Sequence, residues 1–310
     1  MTAARWTARA LAFARLGRPQ FLAGGFLFYS LGAAIALHAG APFRWPAFVW
    51  GQVAVTAVQL MVHYANDYFD FAADRANGTP TRWSGGSRVL PAGDLAPPVA
   101  LGAALVFGAI ALSATAALTW VVRPAPLTLP LLLAGAALAW SYSGPPLYLQ
   151  ARGLGGPTAA AVVTVLTPLI GFYLQAGSLD ALPLLAALPP AGLQCAMLLI
   201  VDVPDAAGDA AAGKRTLVVR IGAARAMRLH NVILLAVYAM LPVLARLGLP
   251  PAVAGAVLLS APVALWHAWR VARGDWADPA CWNRLAFWSV ALLVGAGMAE
   301  LVAFAALLLA

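Results

Sequence analysis

Two short clusters of oxygen-bearing side chains could bind divalent cations, and each contains three residues at helical spacing. The first comprises Asn66, Asp70 and Asp74, and the second comprises Asp202, Asp205 and Asp209. On a helix, each set forms one polar stripe. Because like charges on one face repel, we expect a cation among them. Oxygen ligands of this kind suit Mg²⁺, which usually retains water and shares its shell with substrate phosphates.

Polar residues extend both stripes back into the apolar segments that precede them. The first stripe continues through His63 and Gln59, and the second continues through Gln194. Two helices with inward polar faces are expected to meet across a cavity. His63 is interpreted as a hydrogen-bonded interior histidine in preference to an acid or base. Asp67, beside the first stripe, is equally compatible with a metal ligand and with a residue that supports one.

The composition is that of a membrane protein. The 310 residues are 63% hydrophobic and 10% charged, with a mean hydropathy of +0.84. A soluble domain carries about 25% charged residues, so the chain is expected to lie in a lipid bilayer. The net charge of +8 is attributed to basic loop residues that orient the chain in the membrane, and not to nucleic-acid binding. Cys195 and Cys281 lie in or beside apolar segments, which does not favour a disulfide or a cysteine-based zinc site.

Apolar segments long enough to cross a bilayer, about 20 residues each, occupy most of the sequence. They fall near 20–38, 46–65, 99–121, 125–142, 156–176, 182–201, 228–246, 249–269 and 285–308. The sequence therefore predicts an all-α membrane protein with nine transmembrane helices around a central cavity that opens to the cytoplasmic face. We expect one integral-membrane domain over 1–310, in which 1–19 is a cytoplasmic interfacial lead-in.

The basic residues predict the orientation. With the N-terminus in the cytoplasm, Arg44, Arg123 and Arg246 are the basic residues of the nineteen Lys plus Arg that fall on the outer side. This distribution obeys the positive-inside rule. It predicts a multi-pass protein of the cell (inner) membrane, with the C-terminus outside because the number of spans is odd. The long cytoplasmic connections hold both acidic stripes.

Cations near the stripes indicate a polyanionic ligand. Arg88, Lys214 and Arg215 lie in the same cytoplasmic connections as the acids. Carboxylates alone would repel a diphosphate, whereas bridging Mg²⁺ ions and these cations would bind it. A diphosphate on an apolar tail would lie with its head at the cytoplasmic face and its tail between helices. This is the geometry of an isoprenyl diphosphate.

These motifs resemble those of the UbiA family of intramembrane aromatic prenyltransferases, and the resemblance covers essentially the whole chain. The stripe Asn66–Asp74 is similar to the family's first signature, and Arg88–Gly93 resembles its downstream basic element. The second acidic cluster with Gly213–Gly222 is similar to the branch that prenylates 1,4-dihydroxy-2-naphthoate in menaquinone synthesis. The segment Tyr142–Leu147 resembles the one that follows the fourth helix of that branch.

The resemblance implies Mg²⁺-dependent transfer of a polyprenyl group from a polyprenyl diphosphate to an aromatic acceptor. It implies metal binding by both stripes and diphosphate binding by Arg88, Lys214 and Arg215. Tyr142 and Arg152 are expected in the cavity wall near the reacting carbon. The favoured acceptor is 1,4-dihydroxy-2-naphthoate, whose carboxylate would leave as CO₂. The alternatives are 4-hydroxybenzoate, homogentisate, a chlorophyllide-like alcohol or a phosphoribosyl chemistry.

A cation-coupled transporter is the alternative outside enzymes, since transporters also place acids in membranes. Their coupling acids lie near the bilayer midplane on broken helices, whereas these stripes are predicted at one face. Glu300 is the acid that lies well inside a predicted span. For Glu300 we expect a structural pairing or a protonated hydrogen bond in preference to catalysis.

Overall fold

The computed structural model describes residues 3–309, so Met1, Thr2 and Ala310 lie outside the described part of the chain. Residues 3–309 form helices, turns and connecting segments, and no β-strand occurs among them. The predicted all-α class is therefore confirmed.

Seven helices form the first half of the chain. They are α1 (Ala3–Leu16), α2 (Pro19–His38), α3 (Trp45–Phe69), α4 (Phe71–Ala76), α5 (Pro97–Val122), α6 (Thr128–Ser141) and α7 (Gly155–Ala176). Two of them contain π-helical segments, at Leu118–Val122 in α5 and at Ala160–Leu166 in α7. Such wide turns are rare and often lie at functional sites.

Seven more helices form the second half. They are α8 (Leu182–Val201), α9 (Ala206–Ala211), α10 (Leu217–Ile221), α11 (Ala223–Leu247), α12 (Pro251–Leu258), α13 (Ala261–Ala272) and α14 (Pro279–Leu307). Several long helices begin with proline in their first turn, as α2, α12 and α14 do. Proline fits there because the first backbone N–H groups of a helix have no intrahelical partner.

Seven of the described helices are long and apolar enough to cross a membrane: α2, α3, α5, α7, α8, α11 and α14. The pair α12 and α13 is bent by 42° and forms an eighth span if it crosses as one unit. The predicted segment near 125–142 is the helix α6, which has 14 residues. The chain is thus a multi-pass integral membrane protein with seven or eight spans by this measure, against the nine segments predicted.

Close backbone contact joins α2 to α7. A Cβ atom on Gly32 would overlap the carbonyl oxygen of Pro168, and one on Gly171 would overlap the carbonyl oxygen of Tyr29. Within a bilayer, burial of apolar surface between helices replaces equally apolar lipid, so close approach through small residues supplies much of the stability. Glycine at these positions therefore permits the central helix pair.

The ends of α3 and α8 bring the acidic stripes together. α3 is followed by the short helix α4, and α8 is followed by the short helix α9. A Cβ on Gly208 of α9 would lie 2.9 Å from Asn77 Cα, so the absence of a side chain allows the two turns to touch. Across this contact Thr79 Oγ1 donates to Pro204 O at 3.1 Å. We call this end of the bundle the acidic end.

The first helix also lies at the acidic end. Tyr64 Oη donates to Phe13 O at 2.8 Å, and Leu16 is fully buried. Trp6 and Leu11 on the same helix are exposed. An apolar surface on a helix beside the bundle suits the interface of a bilayer. The interfacial role of 1–19 stays a prediction, and Met1 and Thr2 of that segment lie outside the described residues.

We predict that Gly32→Ala destabilises the fold. The added methyl group would meet backbone atoms of α7, which cannot rotate away, and overpacking of this kind costs about 1–3 kcal/mol. The apparent Tm of the detergent-solubilised protein should fall by several degrees in a tryptophan-fluorescence melt. Gly102→Ala in α5 is the control, because nothing lies within 4 Å of its Cβ position. Equal Tm values for the two variants would contradict the backbone contact.

Candidate functional site

A cavity of about 290 Å³ opens between α3, α7 and α8 at the acidic end. All six residues predicted as metal ligands line it, namely Asn66, Asp70, Asp74, Asp202, Asp205 and Asp209. Tyr142 and Lys214 line it as well, and so do Gln59, His63 and Gln194 from the predicted polar faces. The prediction that these faces meet across a cavity is confirmed by their position, whereas the roles of the side chains stay predictions.

Hydrogen bonds hold the first stripe in place. Asn66 Nδ2 donates to Asp70 Oδ2 at 2.7 Å and to Ser143 Oγ at 2.8 Å. The i, i+4 spacing makes the first bond possible on a helix, and the second ties α3 to the segment after α6. Asp70 and Asp74 are both buried. Their carboxyl groups therefore face the cavity and not bulk water.

Asp67 points away from the cavity and binds Arg18. The carboxylate forms an ion pair with the Arg18 guanidinium and accepts hydrogen bonds from the backbone N–H and hydroxyl of Ser87. Asp67 is 1% exposed and does not line the cavity. The structure therefore supports the interpretation of Asp67 as a residue that positions others.

Arg18 is a cavity residue that sequence reasoning missed. Its guanidinium lines the cavity and donates to Asn66 Oδ1 at 3.1 Å. Burial lowers the pKa of Arg18, but the nearby Asp67 carboxylate and further acids outweigh this and raise it overall. The side chain therefore remains a fixed cation. Two features of the sequence could have indicated Arg18 as a site residue. It directly precedes Pro19 at the start of a span, and Asp67 had no assigned cationic partner.

The second stripe is held by the loop that follows α4. Asp205 accepts hydrogen bonds from Asn77 Nδ2 at 2.7 Å and from the backbone N–H of Gly85 at 2.9 Å. These bonds fix the second stripe to the loop that follows the first stripe, and the contact at Gly208 joins the same two regions. The arrangement places Asp202, Asp205 and Asp209 opposite the first stripe.

Lys214 joins the two stripes electrostatically. Its Nζ lies 3.1 Å from Asp70 Oδ2 and 3.2 Å from Asp209 Oδ1. It also donates to Gln150 Oε1 at 3.4 Å. Burial lowers the pKa of Lys214, but the Asp70 and Asp209 carboxylates outweigh burial and raise it. The Lys214 ammonium group therefore lies where carboxylates of both stripes attract a cation.

The unpaired acids favour a bound positive charge. Burial, reinforced by neighbouring carboxylates, raises the pKa of Asp74 to about 7 and that of Asp202 to about 8. Burial also raises the pKa of Asp205 to about 6, although hydrogen bonds from Gly85 and Ser84 oppose it. A buried carboxylate without a compensating cation is costly. The site thus has more negative charge than Lys214 and Arg18 balance.

Three predicted cations do not line the cavity. Arg88 is half-buried and donates to the carbonyl oxygen of Asp74 from a left-handed backbone conformation, φ 64°. Arg152 and Arg215 are exposed. Gln150, which precedes Arg152 on the same helical turn, and Lys214, which precedes Arg215, face the cavity in their place. The functional roles of Arg88, Arg152 and Arg215 stay predictions.

His63 and Glu300 differ in how their side chains are satisfied. His63 Nδ1 makes a hydrogen bond with Gly17 O at 2.8 Å, which agrees with a satisfied interior histidine. Glu300 is fully buried in α14, and neither of its carboxyl oxygens has a hydrogen-bond partner among the described residues. The pairing or hydrogen bond expected for Glu300 is therefore not formed within residues 3–309, and Leu301 and Phe304 on the same helix belong to an apolar core.

The donor set fits Mg²⁺. No three His, Cys, Asp or Glu side chains converge on one point within residues 3–309. Mg²⁺ is usually held by one or two carboxylates, water and substrate phosphates, so a tight protein cage is not what it requires. The two stripes supply hard oxygen donors from opposite walls, and the Lys214 ammonium lies between them. A cation-attracting position between the stripes is therefore a property of the chain itself.

Residues 26–308 match the model of the UbiA prenyltransferase family. A 1,4-dihydroxy-2-naphthoate octaprenyltransferase from Mycobacterium tuberculosis is 34% identical over 246 residues, which cover 78% of this chain and 79% of that protein. The family match, over residues 26–308, includes both acidic stripes and every helix from α3 to α14.

Solved structures share the fold. A digeranylgeranylglyceryl phosphate synthase superposes with a TM-score of 0.64 at 15% identity, covering 96% of this chain and 98% of that one. A UbiA homologue from Archaeoglobus fulgidus, bound to GPP and Mg²⁺, superposes with a TM-score of 0.60 at 17% identity, covering 94% and 99%. With two acidic stripes facing each other in an all-helical membrane bundle, the chain belongs to the UbiA prenyltransferase family and is a transferase.

Proposed function

We propose that the chain transfers a polyprenyl group from a polyprenyl diphosphate to an aromatic acceptor in an Mg²⁺-dependent reaction, and that the acceptor is 1,4-dihydroxy-2-naphthoate in menaquinone biosynthesis. One observation carries the proposal: two acidic stripes line a single cavity whose deeper walls are apolar. Such a cavity matches a ligand with a polyanionic head and a hydrocarbon tail. Family membership replaces the transporter hypothesis.

The diphosphate head would bind at the acidic end. Carboxylates alone repel a polyanion, so the proposal assigns Mg²⁺ binding to Asn66, Asp70 and Asp74 on one wall and to Asp202, Asp205 and Asp209 on the other. When bound, Mg²⁺ supplies the positive charge that stabilises diphosphate as a leaving group. The homologue from Archaeoglobus fulgidus binds GPP and Mg²⁺, which supports the same ligand classes for this fold.

Two protein cations would assist the diphosphate. Lys214 Nζ already lies between Asp70 and Asp209, and its flexible stem allows the ammonium group to move towards a phosphate oxygen. Arg18 is held by Asp67 and presents a fixed guanidinium to the cavity. Both would stabilise the negative charge that develops when the allylic C–O bond breaks. We retain Arg88 and Arg215 as predicted diphosphate ligands that need side-chain movement to reach it.

The walls near the acids suit an allylic cation. Tyr142, Phe21 and Trp83 line the cavity, and the face of an aromatic ring attracts a cation. Val162, Met197 and Leu198 complete the wall and limit access of water. Tyr142 is therefore proposed as a catalytic residue that shields the carbocation. Arg152 is proposed beside it, although its side chain is exposed in this structure.

The acceptor assignment rests on the relative from Mycobacterium tuberculosis, which uses 1,4-dihydroxy-2-naphthoate by name. An electron-rich ring carbon would attack the allylic carbon, forming a C–C bond as the diphosphate leaves. Where that ring carbon bears the carboxylate, loss of CO₂ restores aromaticity. Other aromatic acceptors, such as 4-hydroxybenzoate or homogentisate, would use the same cavity chemistry and form the arms of the test.

We further propose that the acidic end faces the cytoplasm of a cell with this protein in its inner membrane. The N-terminal helix, Arg18 and Lys214 all lie at that end, and basic residues mark the cytoplasmic side. Nine crossings, with α6 and the α12–α13 pair each counted as one, would leave the C-terminus outside. The whole of 1–310 is proposed to form one domain.

The deciding experiment is product analysis by mass spectrometry. The purified protein in detergent is incubated with Mg²⁺, geranylgeranyl diphosphate and a panel of aromatic acceptors that includes 1,4-dihydroxy-2-naphthoate. We expect pyrophosphate release and a prenylated, decarboxylated naphthoquinol. Pyrophosphate with a different acceptor would replace the naphthoate assignment. Intact protein that consumes no diphosphate with any acceptor would overturn the proposal.

We predict that Asp70→Asn and Asp205→Asn each reduce kcat by at least about 100-fold, because each removes a charge that the transition state depends on. Initial rates of pyrophosphate release provide the measurement, and retained size-exclusion profiles show that the variants fold. Asp94→Asn is the matched control: this exposed acid pairs with Arg15 and does not line the cavity. Near-normal rates for both cavity variants would rule out the metal-binding roles.

We predict that stability depends on pH and Mg²⁺ together. The folded-state pKa values of Asp74, Asp202 and Asp205, about 7, 8 and 6, lie above the ordinary aspartate value of 3.8. Between about pH 4 and pH 8 the folded state therefore binds more protons than the unfolded state, so the free energy of unfolding decreases as the pH rises through this range. In EDTA, Tm should fall over that window.

Mg²⁺ should oppose this loss, because it binds deprotonated carboxylates and stabilises the state that holds it. The increase in Tm caused by Mg²⁺ should therefore grow with pH, and Asp202→Asn should flatten the slope in EDTA. A Tm in EDTA that rises between about pH 6 and pH 8 would contradict the assigned direction of the pKa shifts.

A further inference from the structure

A second, smaller pocket adjoins the main cavity in the interior of the bundle. Its volume is about 50 Å³, and α2, α3, α5, α6 and α7 enclose it. Val58, Gln59, Val162 and Val163 line both spaces, so the two are neighbours across a shared wall. Ala54 at its deeper side precedes Asn66 by twelve residues, which is about 18 Å along a helix. The pocket therefore extends away from the acidic end.

The lining of this second pocket is suited to hydrocarbon. Its side chains are mainly Val, Leu, Ile and Ala, and no Lys, Arg, His, Asp or Glu of the described chain is among them. Thr167 uses its hydroxyl to donate to Val162 O at 2.8 Å. A carboxylate-bearing aromatic acceptor would find no cation there. An apolar chain entering from the main cavity is the ligand that matches this surface.

The π-helical segment of α7 forms part of the wall between the two spaces. Ala160–Leu166 contains Val162 and Val163, which line both, and Leu166, which lines the inner pocket. Thr164 donates to Ala160 O at 2.8 Å, so side-chain hydroxyls bond to the carbonyls of the widened turn. This local geometry shapes the wall opposite Gln59.

Gln59 and Gly25 narrow the passage on the other side. Gln59 Oε1 rests against the Cα of Gly25, so closely that a Cβ there would overlap it. This oxygen is buried and has no hydrogen-bond partner among the described residues, while Gln59 Nε2 donates weakly to Phe21 O at 3.5 Å. Glycine at position 25 thus provides the space in which the Gln59 amide sits.

We propose that the pocket beyond Gln59 binds a distal isoprenyl unit of the donor, and that Gln59, seated against Gly25, sets which tail lengths are accepted. The inference rests on the proposed function and adds a specificity-determining residue to it. Gln59 precedes Asn66 by seven residues, about 10 Å along α3. The first units of a tail with its head at Asn66 occupy the main cavity, and later units must pass the Gln59 amide.

The test is a competition between geranyl diphosphate and geranylgeranyl diphosphate for one acceptor, with the product ratio measured by mass spectrometry. In Gly25→Ala the methyl group displaces the Gln59 amide into the passage, so the long-to-short product ratio should fall about tenfold, the scale set by one misplaced carbon in an apolar pocket. Gln59→Ala should raise the ratio. Gly25→Ala combined with Gln59→Ala should restore it towards that of the unaltered chain.

Two further variants separate this inference from general damage. Gly24→Ala is the matched control, because nothing lies within 4 Å of its Cβ position, and it should leave the ratio unchanged. Ala136→Leu fills the inner pocket from α6 without contacting the main cavity, and it should lower the ratio even if Gly25→Ala fails to fold. Total turnover of geranyl diphosphate should remain close to normal in Gly24→Ala.

The outcomes distinguish the two levels of proposal. Transfer of both tails with the same ratio in Gly25→Ala, Gln59→Ala and Ala136→Leu would overturn the role of the inner pocket and leave the proposed function intact. A ratio that the double variant does not restore would overturn the assignment to Gln59. No transfer from either donor by the unaltered protein would overturn the proposed function and this inference with it.

Discussion

The structure depends on how it balances buried negative charge where α3 and α8 end. Acids from both walls face one cavity, and burial there would be prohibitive without nearby positive charge. Lys214 reaches one acid from each stripe, Asp70 and Asp209, and so links the two halves of the site. The same contact offsets the repulsion between Asp70 and Asp209 beside the place where the short helices α4 and α9 touch. An excess of carboxylate remains, and this excess makes the site selective for a cationic or metal-bridged ligand.

Further hydrogen bonds and ion pairs at the acidic end of the bundle hold the buried carboxylates in place. Asp67 is turned away from the cavity and holds Arg18, so one acid of the first motif orients a cation that faces the other acids. Asn77 and the Gly85 N–H bind Asp205 from the loop after α4. Each stripe is therefore fixed partly by residues that belong to the other half of the chain. The geometry of the cavity is therefore a property of both halves together.

Sequence reasoning identified the all-helical class and six of the polar side chains that line the cavity, because periodicity and charge rarity in an apolar chain are strong signals. The resemblance of the motifs identified the family. It did not identify Arg18 or Gln150, whose positions depend on the left-handed turn before Pro19 and on a short 3₁₀ turn. It placed Arg152 and Arg215 by proximity along the chain. In turns, adjacent side chains point in different directions, so the neighbours of these two residues face the cavity in their place. Helix α6 was predicted as a full span because composition alone does not fix where a helix begins.

Selection of the donor's isoprenyl tail and catalysis at its diphosphate head place different demands on α2 and α3. The acidic end requires fixed charges, and it is held by ion pairs and hydrogen bonds of defined length. No ionisable side chain of the described residues lines the inner pocket, so packing between backbones must hold its shape. The glycines of α2 serve both needs: Gly32 allows α7 to touch the α2 backbone, and Gly25, two turns nearer the acids, leaves room for the Gln59 amide. Because Gly25 and Gly32 have no side chain, α2 can pack tightly against α7 and still leave space beside α3. Changes in tail preference within this fold should therefore arise from single small residues on α2 and from their partners on α3, because the charged residues are constrained by the chemistry at the head.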